Sequence, residues 1–118
     1  MKYFITIIFL SPLFVSAQLT MGSIFSDNMV MQHGKPICIF GKANPNQLVA
    51  VTFEGETKST LVQTDSNWIV FFKKQAISKL PHTLSIECGL QKIRFEHIVI
   101  GDVWLCIGQS NMEFPMTR

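Results

Sequence analysis

The stretch Val49-Ala-Val-Thr-Phe-Glu-Gly-Glu-Thr-Lys-Ser-Thr-Leu-Val-Gln-Thr64 decides the fold class. Val49, Val51 and Phe53 fall on one side of an extended chain, and Ala50, Thr52 and Glu54 on the other. That period of two marks a half-buried β-strand. Glu54-Gly55-Glu56 reads as a tight turn, so Lys58 to Thr64 is expected to fold back as the second strand of a hairpin. Toward the C-terminus, Asp65-Ser66-Asn67 turns the chain into the β-prone run Trp68 to Phe72, with Trp68, Val70 and Phe72 on one side. Ser78-Lys79-Leu80-Pro81 reads as a connection. Thr83 to Cys88 alternates again, with Leu84, Ile86 and Cys88 inward, and a turn at Cys88-Gly89-Leu90-Gln91 leads into a last strand, Lys92 to Ile100. Toward the N-terminus, Asn44-Pro45-Asn46 is a turn and Ile37 to Gly41 a strand. Gly34-Lys35-Pro36 separates that strand from a shorter one at Met29-Val30-Met31, which follows the turn cluster Ser26-Asp27-Asn28. Short strands with turn signals roughly every ten residues predict a mainly-β fold, an antiparallel sandwich of immunoglobulin-like or jelly-roll type. Its two sheets are expected to pack about 10 Å apart.

The pattern changes near residue 100. Ile93, Phe95, His97 and Val99 share one face, while Ile98 and Ile100 place apolar groups on the other. A strand apolar on one side at its start and on both at its end reads as leaving a solvent-facing sheet, which puts a domain junction at about Ile98 to Asp102. Gly101-Asp-Val-Trp-Leu-Cys-Ile-Gly-Gln-Ser-Asn-Met-Glu-Phe-Pro115 follows. Val103 to Ile107 is a short unbroken apolar run, the mark of a strand buried on both faces, as in a parallel sheet covered by helices. It ends in Gly108-Gln109-Ser110-Asn111, a small polar group where open α/β sheets place their ligands. Ser110 has two readings on its residues alone. A sharp bend after a strand exposes a serine hydroxyl for nucleophilic attack and frees backbone N–H groups for an oxyanion. Gln109 and Asn111 then add side-chain donors or cap the turn. Glu113, three residues on, equally fits a capping box with Ser110 as a helix N-cap.

The chain has 118 residues, 47% hydrophobic and 15% charged, with a formal charge of +2. No long Lys or Arg run occurs, which argues against nucleic acid, because phosphate binding needs a clustered basic patch. Residues 1–17 read as a secretory leader. Lys2 precedes the apolar stretch from Phe4 to Leu10, and Val15-Ser16-Ala17 predicts cleavage before Gln18. The apolar stretch is too short to span a membrane, so a periplasmic or secreted protein with no membrane attachment after cleavage is expected. Cys38, Cys88 and Cys106 are odd in number, so at least one is not paired within the chain. An oxidising compartment permits a disulfide between Cys38 and Cys88; small buried hydrophobes are the plainer reading. No metal-ligand spacing occurs. His33, His82 and His97 have no obvious triad partner, since Glu96 and His97 point to opposite strand faces, and each reads as a surface or core histidine.

Two blocks carry a family resemblance. One is Ile24-Phe-Ser-Asp-Asn-Met-Val-Met-Gln32, with Lys35-Pro36 and Phe40-Gly41 after it; the other is Gly101 to Pro115. Together with the Val51-Thr-Phe53 strand and Asn67-Trp68, they resemble the start of bacterial sialate O-acetylesterases, the carbohydrate-esterase branch of the SGNH hydrolases. The resemblance implies an N-terminal β-sandwich over 18–100 and, over 101–118, the first strand of an incomplete α/β (SGNH) esterase domain. It implies that Ser110 is the catalytic serine, its N–H an oxyanion donor, with Gln109 and Asn111 as site support. The implied substrate is an O-acetylated sialic acid or other acetylated glycan, and no metal or organic cofactor is needed. Ile107 stands where the family usually has a small residue. The family's further oxyanion residues and its Asp-x-x-His follow well beyond this stretch, so these residues alone are expected to be an inactive fragment. The competing expectation is a non-catalytic glycan- or protein-binding sandwich module.

Overall fold

The computed structural model describes residues 18–108. The leader expected over 1–17, and Gln109, Ser110 and Asn111, lie outside the described residues. Eight strands run in order: β1 (Thr20–Met21), β2 (Val30–Gln32), β3 (Ile37–Lys42), β4 (Leu48–Phe53), β5 (Glu56–Leu61), β6 (Asn67–Phe72), β7 (Ser78–Cys88) and β8 (Gln91–Gly101). They form a three-stranded sheet, β1-β3-β6, and a five-stranded sheet, β2-β8-β7-β4-β5. The expected mainly-β sandwich is what is found.

The core follows from the alternation. Val49, Val51 and Phe53 of β4 are 0–1% exposed, and Leu84 and Ile86 of β7 are fully buried. Ile37 and Ile39 of β3 and Trp68, Val70 and Phe72 of β6 bury the opposing face. Phe53 and Phe72 meet between the sheets, ring centroids 5.9 Å apart and edge to face, the geometry that aromatic quadrupoles favour. At one side of the sandwich, Lys58 of β5 donates to the Phe71 carbonyl and lies over the Phe72 ring. At the other, Phe25 sits between Phe40 and Phe95, at 5.1 and 6.5 Å. No polar or charged residue is buried among the described residues.

The hairpin between β4 and β5 turns at the expected place, within Glu54-Gly55-Glu56, through a two-residue loop. Phe53 pairs with Glu56, and Glu54 and Gly55 both take positive φ, 52° and 73°, the backbone that matches strand twist at such turns. Its second strand is Glu56–Leu61 rather than Lys58 to Thr64. The ladder breaks at Val62: its N–H still donates to the Gln47 carbonyl, but its own carbonyl accepts from Asn46, because the Gln47 N–H donates to Asn44, and the Val62 side chain is buried in the core.

Three features depart from the expected pattern. β1, only two residues long, pairs with β3 at Thr20↔Lys42 and Met21↔Gly41. β2 pairs with β8 in parallel, inside an otherwise antiparallel arrangement. Ser78 to Pro81, read as a connection, opens β7 instead. The ladder is irregular there: β7 advances from Ser78 to His82 while β8 retreats only from Ile100 to Ile98. The surplus residues on β7 include Pro81, whose missing N–H is tolerated at such a bulge.

A second irregularity explains the change of face seen in the sequence. From His82 to Leu84 β7 moves two residues, while β8 moves three, from Ile98 to Phe95. His97 lies in that interval with φ 56° and is exposed. Ile93 and Phe95 pack on the core before it, and Ile98 and Ile100 are buried after it. The apolar residues therefore serve one core throughout, and a β-bulge shifts their parity.

Gly41 marks a close approach of β1. A Cβ there would lie 2.2 Å from the Thr20 carbonyl oxygen and 2.8 Å from the Trp68 ring. Gly41→Ala is expected to destabilise the sandwich by about 1–3 kcal/mol, the usual range for overpacking. Urea unfolding with an unchanged m-value would measure it, and an unaltered midpoint would show that β1 detaches freely.

Candidate functional site

The described part of the site is the path along which the chain leaves β8 toward Ser110. β2 lies parallel to the end of β8, with Val30↔Val99, Met31↔Ile100 and Gln32↔Gly101 in register. The Val99 N–H donates to the Met29 carbonyl at 3.1 Å, and the His33 N–H to the Gly101 carbonyl at 2.9 Å. Beyond the ladder, Gln32 Oε1 accepts the Val103 N–H at 2.8 Å. His33 Nε2 lies 2.8 Å from Asp102 Oδ1. The two sequence blocks that carry the family resemblance thus meet along one edge of the larger sheet. Beside them is an open groove of about 380 Å³, lined by Ile24, Phe25, Met29, Met31, Ile37 and Val103 among others.

The strand expected over Val103 to Ile107 is not present among the described residues. Residues 102–108 form no ladder. Trp104, Leu105 and Ile107 are each 84% exposed. A strand buried on both faces needs neighbours on its edges and layers above and below. The described residues give this run only the Gln32 contact to the Val103 N–H and the groove against its side chain.

The histidines find partners that their sequence neighbours did not indicate. His33 pairs with Asp102, and His82 pairs through Nδ1 with Glu54 of the β4–β5 loop. The His82 ring also lies 6.1 Å from that of Phe53, and its Nε2 is buried without a partner. His97 occupies the bulge, apart from both pairs. No spacing in the sequence signals contacts between residues 69 or 28 positions apart; only the fold supplies them.

All three cysteines are free, so no Cys38–Cys88 disulfide forms. Cys88 is buried, with its thiol against Gln47 Oε1 at 3.3 Å, and Cys38 is half-buried. Burial pushes both thiols above the ordinary value, which disfavours the reactive thiolate. Cys106 is exposed in the apolar run and is not a core residue. Among the described residues, no three His, Cys, Asp or Glu side chains gather as a metal site.

The fold has a counterpart among solved structures. The chain matches a carbohydrate acetylesterase from Xanthomonas citri with a TM-score of 0.78 and 28% sequence identity, over 83% of this chain. The likeness is to a carbohydrate esterase. It bears out that part of the resemblance read from the two blocks. The chain covers 22% of the acetylesterase's length. No family model matches the chain, and no curated protein matches it significantly.

Proposed function

We propose that these residues form the supporting β-sandwich and the nucleophile-bearing segment of an exported serine esterase that removes acetyl groups from glycans, O-acetylated sialic acid among them. The observation that carries the reading is the structural likeness to a carbohydrate acetylesterase, together with Gly-Gln-Ser-Asn at residues 108–111. In this reading Ser110 Oγ attacks the acetyl carbonyl while a histidine supplied elsewhere in such an enzyme takes its proton. The oxyanion is held by the Ser110 N–H and by Gln109 and Asn111. Collapse passes the proton to the departing sugar hydroxyl and leaves an acetyl-serine. Water, activated by the same histidine, then releases acetate. A serine hydroxyl with no base beside it is a poor nucleophile, so the 118 residues alone are expected not to turn over an aryl acetate.

The test is a hybrid enzyme in which this chain replaces the matching part of the Xanthomonas citri acetylesterase. The hybrid is expected to release acetate from p-nitrophenyl acetate and from an acetylated glycan. A hybrid that folds and binds glycan but releases no acetate from either ester would overturn the reading in favour of a binding module.

A further inference from the structure

The junction between β2, β8 and residues 102–103 carries more contacts than strand pairing requires. The ladder itself ends at Gln32↔Gly101. Past that point two consecutive side chains of one strand grip two consecutive residues of the other. His33 reaches Asp102 through its ring, and Gln32 reaches the Val103 backbone through its amide oxygen. The Gln32 amide is oriented for this, because its Nε2 donates to the His33 carbonyl at 3.2 Å and leaves the oxygen toward Val103. The turn that presents His33 is anchored in its own right: the Gly34 N–H donates to the Gln75 carbonyl at 3.0 Å, with Gly34 at φ 68°.

We propose that Gln32, His33 and Asp102 form a proton-responsive staple that sets the direction in which the chain leaves β8, and so the placement of the segment leading to Ser110. The clause about Ser110 rests on the esterase reading; the staple does not. The His33 and Asp102 side chains are 34% and 57% exposed, and exposed ion pairs contribute little to global stability. What they can bias is a segment that has few other contacts, and 102–108 is such a segment. A protonated imidazole beside the carboxylate makes a charge-assisted contact; a neutral one keeps at most an ordinary hydrogen bond. The other charged side chains nearest in the chain are Lys35 on the same turn, Lys73 and Lys74 beside Gln75, and Lys79 of β7 next to Ser78, which pairs with Ile100; β7 also carries His82, and β8 carries His97 and Glu96 further from the junction. Among the described residues only Asp102 forms an ion pair with His33. Gln32 and His33 are positioning residues in this account, acting through the backbone of residues 102–103.

The test is amide NMR of the full 118-residue chain across the range in which histidine titrates. The Val103 and Trp104 amide signals are expected to shift with the same midpoint as the His33 imidazole. Both His33→Asn and Asp102→Asn are expected to abolish that shift while the β7–β8 amides stay in place. The Val103 amide is expected to exchange with solvent at least about tenfold faster in Gln32→Leu, with protection restored only in part in Gln32→Glu, which keeps an acceptor oxygen but loses the donor to the His33 carbonyl. In the hybrid enzyme, Gln32→Leu is expected to lower kcat with KM unchanged, and Gln32→Glu to recover it in part. Val103 and Trp104 amides that ignore the His33 titration, or that titrate unchanged in Asp102→Asn, would overturn the staple whether or not the hybrid is active. A hybrid that releases no acetate while those amides follow His33 counts against the esterase reading and leaves the staple standing.

Discussion

Ser110→Ala in the hybrid enzyme is expected to lower kcat/KM for acetyl-ester hydrolysis by on the order of 10⁴-fold or more, as removal of a catalytic nucleophile does elsewhere. The effect is this large because the hydroxyl oxygen is the atom that forms the new bond, and alanine offers nothing in its place. Gln109→Ala and Asn111→Ala are expected to cost less, at most about 10²–10³-fold, the range for one oxyanion donor. The same series separates the two readings that the sequence leaves open. If Ser110 only caps a helix, alanine would cost about 0.5–2 kcal/mol of stability and leave turnover per folded molecule nearly intact. Initial rates, combined with the folded fraction from circular dichroism, decide between them. Activity within tenfold of the parent would exclude Ser110 as the nucleophile.

The sandwich was legible where a strand has one wet face and one dry face. In β4, β6 and the second half of β7, every inward position is apolar, so the period of two stands out. β1 was not legible because two residues cannot show a period. The start of β7 was hidden by its exposure: Lys79, Leu80 and Pro81 are all open to solvent, and a proline usually argues against a strand. The parallel pairing of β2 with β8 joins residues about seventy positions apart, and no local pattern encodes it. The His33–Asp102 and His82–Glu54 pairs depend on such long-range register and were unreadable for the same reason. The serine motif was legible as residue order alone, because its meaning comes from resemblance rather than from hydrophobic spacing. The run Val103 to Ile107 shows the limit of that spacing: apolar continuity states what a segment needs to have around it, and the described residues do not supply it.

Deleting His97 is expected to leave the sandwich folded, although it takes a residue out of the middle of β8. Without the extra residue the inward set that starts at Ile93 and Phe95 reaches Ile98 and Ile100 in one unbroken period of two, so both keep facing the core. Those two residues are 0% and 3% exposed. Their combined burial is worth about 3–6 kcal/mol, much of the roughly 5–15 kcal/mol that holds a small domain together. The step between Leu84↔Phe95 and His82↔Ile98 becomes two residues on each strand, which leaves Gly101 opposite Gln32 and keeps the contacts of His33 and Gln32 to the exit path. His97→Gly keeps the bulge and relieves its backbone strain. At φ 56° a residue with a Cβ is strained by about 1–2 kcal/mol, and glycine regains part of that against its greater freedom in the unfolded chain, for a net gain of up to about 1 kcal/mol. The bulge has its own supports: Asp27 Oδ1 accepts the Glu96 N–H at 2.7 Å, and the Asn28 N–H donates to the Glu96 carbonyl at 3.0 Å. Asp27 and Asn28 thus hold the backbone where the ladder is interrupted. Thermal unfolding of the deletion and of His97→Gly, compared with the parent, tests the argument. If the deletion melts far below the parent, the offset at His97 does more than carry β8 from one parity to the other.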